Sequence, residues 1–161
     1  MIPPTLHLLC GKIAAGKSTL ARNLVAEHSA LLLSEDQWLA RLYPGEIGSV
    51  SDYVKCARRV QEVVGPLVID LLRARVTLVL DFPANTRAAR QWLRGLAEAA
   101  EVPHRLHHLD VDDATCRARL HARNARGEYE FAATDAEFDL ITRYFEVPDE
   151  EEGLAISRHR A

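Results

Sequence analysis

Cysteine is scarce in this chain: three in 161 residues, at positions 10, 56 and 116, an odd number with no C-x-x-C spacing. No disulfide framework can be read from that, and Cys10, Cys56 and Cys116 are expected to be reduced thiols of a cytoplasmic protein. No apolar run approaches the roughly 18 residues that a membrane span needs, and the first residues lack the basic, apolar and small-residue order of a signal sequence. No membrane partner is expected. Neither sign of charge dominates, with 20 basic against 23 acidic residues and a net charge of −3. Without a general positive field, nucleic acid is disfavoured as a partner. Repeats, low-complexity tracts and linkers are also absent. The 161 residues therefore read as one domain, large enough to bury roughly two thirds of its unfolded surface without staples.

What is present is concentrated near the start. Gly11-Lys12-Ile13-Ala14-Ala15-Gly16-Lys17-Ser18, with Thr19 behind it, fits the phosphate-loop pattern G-x-x-x-x-G-K-[ST]. The flanks supply the context the pattern requires: Leu6 to Cys10 is an apolar run of strand length, and Leu20, Ala21, Leu24 and Val25 recur at helical spacing. Backbone N–H groups of Gly11 to Thr19, at the start of such a helix, can wrap a phosphate chain. Lys17 can reach its outer oxygens, and Ser18 can ligate Mg²⁺.

Short apolar runs alternate with amphipathic segments along the whole chain, the pattern of an α/β fold. A second strand is expected at Ala30 to Leu33, ending in Ser34-Glu35-Asp36, followed by a short helix through Trp38, Leu39 and Leu42. From Ser51 as N-cap, Val60, Val63, Val64, Leu67, Val68, Leu71 and Leu72 are expected to keep one apolar stripe to about Arg73, with Gly65-Pro66 expected to kink or interrupt it. Val76 to Leu80 reads as a buried strand delivering Asp81, which is placed to orient a metal. Thr86 to Ala100 reads as a helix whose Arg87, Arg90 and Arg94 share a face, expected to be solvated charge. His104 to Asp110 is the next strand. Strand alternation puts His104 and His108 on one side and His107 on the other, so core or edge histidines are expected rather than a metal site. Asp112 or Asp113 can cap a helix to about Arg126 that carries Arg119, Arg123 and Arg126 on one stripe. A break at Gly127 to Glu130 precedes a helix capped by Thr134. Asp149 to Glu152 is expected to be a solvated turn before a last strand at Leu154 to Ile156.

The phosphate loop, Asp36 within Leu33-Ser34-Glu35-Asp36-Gln37-Trp38, Leu80-Asp81 followed by Arg87 and Arg90, and the arginine-rich run from Arg119 to Arg126 come in a telling order. That order resembles the predicted P-loop kinases, a group related to zeta toxins, chloramphenicol phosphotransferase, gluconate kinase and the kinase half of polynucleotide kinase. The resemblance spans nearly the whole chain. It implies a P-loop kinase fold, with a five-stranded parallel sheet in the order 2-3-1-4-5 flanked by helices. It also implies ATP on the loop, substrate over the C-terminal ends of the strands, and a helical lid over about residues 115 to 135. Two departures stand out: the D-x-x-R pair common in the family becomes Asp36 with Leu39, and the loop carries Lys12 and Ala14-Ala15 where apolar and Gly-Ser residues are usual.

The expected activity is ATP- and Mg²⁺-dependent transfer of a γ-phosphoryl group to a hydroxyl of a small molecule. Lys17 and Ser18 would hold phosphate and metal, Asp81 would order the magnesium, and Asp36 would take the acceptor's proton. One or more of Arg119, Arg123 and Arg126 would neutralise charge on the transferred group. A kinase for a nucleic-acid 5′-hydroxyl or a nucleotide sugar is the alternative within the class, favoured by a basic groove beside Asp36. An ATP-binding switch with slow hydrolysis is the alternative outside it. The acceptor, the choice of ATP over GTP and the oligomeric state leave no signature in the sequence.

Overall fold

The structure is a computed structural model that describes residues 2–127 and 133–160. In chain order it forms β1 (Leu6–Cys10), α1 (Lys17–His28), β2 (Leu31–Ser34), α2 (Glu35–Leu42), α3 (Val50–Arg73), β3 (Leu78–Asp81), α4 (Arg87–Ala100), β4 (His104–Asp110), α5 (Asp113–Arg126) and α6 (Asp135–Arg143). A 3₁₀ turn (Glu150–Glu152) and β5 (Ile156–Arg160) complete it. The strands form one parallel sheet in the order β2-β3-β1-β4-β5, as the resemblance implies. Of the expected break at Gly127 to Glu130, Glu128, Tyr129 and Glu130 lie outside the described residues. Among the described residues no helix is long and apolar enough to cross a membrane.

Every residue of β1 is buried, because the strand lies in the middle of the sheet and helices cover both faces. Side chains alternate. Leu6, Leu8 and Cys10 join Leu78, Leu80 and Leu106 in a core with Val60, Val64, Val68 and Leu72 of α3 and with α4, while Leu9 and Val79 pack on Ala21 and Leu24 of α1. A smaller cluster of Leu109, Val111, Cys116, Leu120 and Phe138 fastens α5 and α6 to the sheet. Burial pushes the Cys10 thiol up to about 11 against the opposing charges of Arg90 and Lys17, which leaves it an unreactive thiol at neutral pH.

Several boundaries move for local reasons. Ser49, not Ser51, caps α3, its hydroxyl accepting the Asp52 N–H at 3.1 Å. The helix also runs through Pro66 without interruption. Pro66 and Glu62, whose carbonyl loses its donor, both lie on the exposed side, where water can replace the missing bond. Gly65 instead serves the crossing with α4: a Cβ there would stand 3.4 Å from the Trp92 ring. The last strand starts at Ile156 and not at Leu154, because the apolar pair Leu154-Ala155 only leads in, through Ala155 C=O accepting from Leu106 N–H at 2.8 Å. The strand proper is the charged edge Ile156-Ser157-Arg158-His159-Arg160, which discourages pairing with another chain.

The arginine face of α4 is solvated only at its ends, Arg87 and Arg94, and not at Arg90, which corrects the sequence expectation. Arg90 is 1% exposed. Its Nε donates to Glu152 Oε1 at 2.7 Å, its second terminal nitrogen to Oε2 at 3.1 Å, and its first to Ala84 C=O at 3.0 Å. Arg94 donates to the Glu152 backbone carbonyl at 2.6 Å, and Arg87 pairs with Asp149. The acidic turn is therefore the counter-face of α4 and only partly solvated: Glu152 is buried while Asp149, Glu150 and Glu151 stay exposed.

The histidines also have partners that local spacing hides. His107 is joined through its Nε2 to Nδ1 of His7 on β1 (3.0 Å) and through its Nδ1 to Nε2 of His159 on β5 (3.0 Å), forming a row across three neighbouring strands. His28 of α1 stacks on His7 with ring centroids 4.6 Å apart. Burial, then the nearby His28 and Arg105, lower His7 to about 4, with Glu27 opposing; burial, His7, His159 and Arg105 lower His107 likewise. Unfolded imidazoles bind protons below about pH 6.5 and these two only near 4, so their contribution is complete above 6.5 and is lost as the pH falls towards 4. We expect a loss on the order of 3 kcal/mol across that window for the coupled pair. Urea midpoints between pH 7.5 and 4.5 check this. Since carboxylates also titrate near 4, the signature is that His107→Gln flattens the dependence, and an equally steep curve in that variant contradicts it.

Candidate functional site

The C-terminal ends of β1, β2 and β3 carry the loop, Ser34 and Asp81 to one edge of the sheet. Parallel strands with helical returns place their functional groups at that edge. After Cys10 the chain leaves β1 through Gly11, where a Cβ would meet Ala15 and Leu109 Cβ atoms at 3.2 Å. The loop then turns with Ala15 N–H bonding Lys12 C=O at 3.1 Å. Ala14 (φ 63°) and Gly16 (φ 107°) adopt left-handed backbone, the former at a cost of about 1 kcal/mol for a residue with a Cβ. Gly16 is the N-cap of α1 and makes no side-chain cap bond. The first N–H groups of α1, from Lys17 through Ser18 and Thr19, thus open towards the loop without a side-chain acceptor, the arrangement that suits a phosphate oxygen.

Lys17 bends back over this loop, donating to Gly11 C=O at 2.5 Å and Lys12 C=O at 2.9 Å. Desolvation lowers its pKa, and the charge of Asp81, then of Asp36, opposes that. Asp81, the last residue of β3, lies beside the Ser18 hydroxyl and the Lys17 ammonium; burial raises its carboxyl pKa, while the Lys17 charge and the Ser18 hydroxyl pull it down. A hydroxyl and a carboxylate meeting beside an ammonium form a hard oxygen donor set suited to Mg²⁺ held partly by phosphate and water. The residues present fit both ATP and Mg²⁺.

Asp36 does not end an extended strand. The strand stops at Ser34, which caps α2 by accepting the Gln37 N–H at 3.4 Å, and Asp36 sits exposed in the first helical turn. Extended-chain alternation therefore does not sort Glu35 from Asp36. Packing does: Glu35 is 1% exposed and accepts from Tyr53 hydroxyl at 2.6 Å and Gln61 Nε2 at 3.2 Å, both on α3. Burial raises the Glu35 carboxyl pKa, those two bonds lower it, and Asp36 and Asp81 raise it further. Glu35 is the anchor that seats α2, and Asp36 beside it is left to the surface at the loop's edge.

Of Arg119, Arg123 and Arg126 on α5, the structure brings Arg119 to the loop, its guanidinium donating to Ala15 C=O at 3.2 Å. Arg123 is half-buried and Arg126 exposed, one and two turns further along. Lys12 points away from the loop interior to Asp113 at the start of α5, at 2.5 Å, and over the Phe145 ring at 5.8 Å. Ile13 packs with the α5 cluster. Reading the sequence missed Asn85, whose Oδ1 accepts the Gly11 N–H at 3.0 Å; an asparagine 74 positions away carries no local signal. A groove of about 520 Å³ lined by Lys55, Arg58, Arg59 and Glu62 lies on the side of α3 opposite Tyr53 and Val60, and so not on the face that holds Glu35.

Comparisons with known proteins agree with this geometry. A family model described as an AAA domain matches residues 6–148. A candidate kinase from Chloroflexus aurantiacus superposes with a TM-score of 0.78 at 16% identity, covering 99% of this chain and 89% of its own. A sugar kinase from Janibacter follows at 0.67 and 15% (98% and 86% covered), and an APS kinase from Mycobacterium tuberculosis, solved with AMPPNP and APS, at 0.59 and 19% (99% and 90%). No curated protein matches the sequence. The chain belongs to the AAA-domain family, and its fold is that of the P-loop kinases.

Proposed function

We propose that the protein is an ATP- and Mg²⁺-dependent kinase that transfers the γ-phosphoryl group to a hydroxyl of a small molecule in the cytoplasm. The observation that carries this reading is the Lys17 ammonium held over the loop carbonyls, under an α1 N-terminus with no side-chain cap, with Ser18 and Asp81 beside it and Asp36 near enough to act on Lys17 by charge. Ser18 and Asp81 would hold the metal, which when bound would neutralise charge on the phosphoryl oxygens. Lys17 exchanges the Gly11 and Lys12 carbonyls for phosphate. Asp36 takes the proton from the acceptor hydroxyl, and Arg119 leaves Ala15 C=O for the transferred group as α5 closes as a lid, with Arg123 and Arg126 behind it. Such a site works by position and electrostatics, with little covalent chemistry for the protein. The cationic groove on the outer side of α3 does not adjoin Glu35 and Asp36, so it gives no support to a nucleic-acid acceptor.

The test is ADP release against a panel of sugars, nucleosides and aminoglycosides, repeated with Asp36→Asn. That substitution keeps size but removes the proton acceptor. We expect transfer to fall by about 10² or more while ATP affinity and melting temperature stay put. Normal turnover in the variant would place the base elsewhere, and ATP binding without any accepted hydroxyl compound would make the protein a nucleotide switch.

A further inference from the structure

We propose that Asn85 is a positioning residue of the phosphate loop, holding its first peptide at a fixed point that the C-terminal segment in turn secures. The inference rests on the kinase reading only for its consequence in ATP binding. Gly11 lies one residue beyond the last β1–β4 pair, Cys10 with His108, and three beyond the last β1–β3 pair, Leu8 with Leu80, so the sheet ladder supplies no acceptor for its N–H. Asn85 Oδ1 supplies it at 3.0 Å. On the same residue the carbonyl accepts from the Lys17 ammonium, and a side chain there would crowd the Cβ atoms of Ala15 and Leu109. Once Lys17 turns to a phosphate, the loop's start loses that tie to the ammonium, and the Asn85 bond is what still fixes it.

Asn85 can act as a fixed point because its own backbone is held on each side. Its carbonyl accepts the Glu146 N–H at 2.8 Å. The preceding Ala84, fully buried, gives its carbonyl to Arg90 at 3.0 Å, and the following Thr86 caps α4 by accepting the Ala89 N–H at 3.1 Å. Arg90 is locked in turn by Glu152. Residues after α6 thereby reach the loop through one asparagine, although none of them belongs to the loop motif.

The experiment compares the parent, Asn85→Ala and Asn85→Asp by three measurements: melting temperature, amide exchange of Gly11 to Ser18 without nucleotide, and ATP affinity by calorimetry. Asn85→Ala should speed loop exchange and weaken ATP binding, each by about tenfold, the worth of one such hydrogen bond. Exchange in α4 and β4 should not move, and melting should stay within a few degrees. Asn85→Asp still offers Gly11 an acceptor oxygen and should recover the slow exchange. Unchanged loop exchange in Asn85→Ala, or an Asp variant as fast as Ala, overturns the proposal. Loop exchange that responds as expected in a parent that binds no ATP supports the anchor and defeats the kinase reading instead.

Discussion

Glu152→Gln should lower stability by about 3–5 kcal/mol, the cost of leaving a buried charge without its counter-ion. In a chain of this length that is a fall of about 10 °C or more in melting temperature. Glu152 and Arg90 are each 1% exposed at the side chain, so water cannot replace what either loses. Burial alone would push the Glu152 carboxyl up. Hydrogen bonds from Arg90 and from the Asp149 N–H, with the charges of Arg90 and Arg87, outweigh it and hold the group below the usual carboxylate range. The contribution is therefore present at neutral pH and is lost as the pH falls through that lowered value. A double variant, Arg90→Met with Glu152→Leu, separates a missing partner from a missing contact. Replacing both ions with apolar groups is often neutral or stabilising, so it should melt above Glu152→Gln. A single variant that melts with the parent would show that the pair does not hold the C-terminal turn on α4.

The same pair shows where reading the sequence stops. Five strands were legible, because each apolar run and each cap is a local signal, while their order came from the family resemblance; Asp112 and Thr134 cap α5 and α6 as their positions suggest. Lys17 and Ser18 were legible for the same reason. Arg90 was read as solvated because helix spacing tells which residues share a face, not what covers that face; Glu152 lies 62 positions away. His107 was weighed against His104 and His108, its neighbours in sequence, while its hydrogen-bond partners His7 and His159 come from adjacent strands. Asp36 was assigned to the right end of the sheet but to extended backbone, since a helix that starts immediately after Ser34 leaves no turn residue to mark the change. The misses at Arg90 and His107 are contacts between distant segments, set by a packing face and by strand register.

Lys17→Ala should abolish measurable transfer, by about 10³ or more, and weaken ATP binding, whereas Lys12→Ala should leave both within a few-fold of the parent. The two lysines are five positions apart and differ in what surrounds the ammonium. Lys17 lies over the loop, bonded to two of its carbonyls at 2.5 and 2.9 Å, with Asp81 and Asp36 within reach of its charge. Those carbonyls hold the ammonium in place until phosphate oxygens take over. No other lysine approaches the loop interior among the described residues. Lys12 contributes its backbone C=O to that cradle, which alanine keeps, while its side chain leaves for Asp113, a pair 23% and 57% exposed. An ion pair that open is worth at most about 1 kcal/mol. Arg119 is also bonded to the loop, at Ala15 C=O. It reaches the loop from α5 and not from beneath, so it can meet the transferred group but cannot replace Lys17. Initial rates at saturating acceptor, with ATP affinity measured separately, decide the matter. Equal losses in the two variants would mean that Lys12 turns inward when nucleotide binds, and that the Lys12–Asp113 pair belongs only to the empty loop.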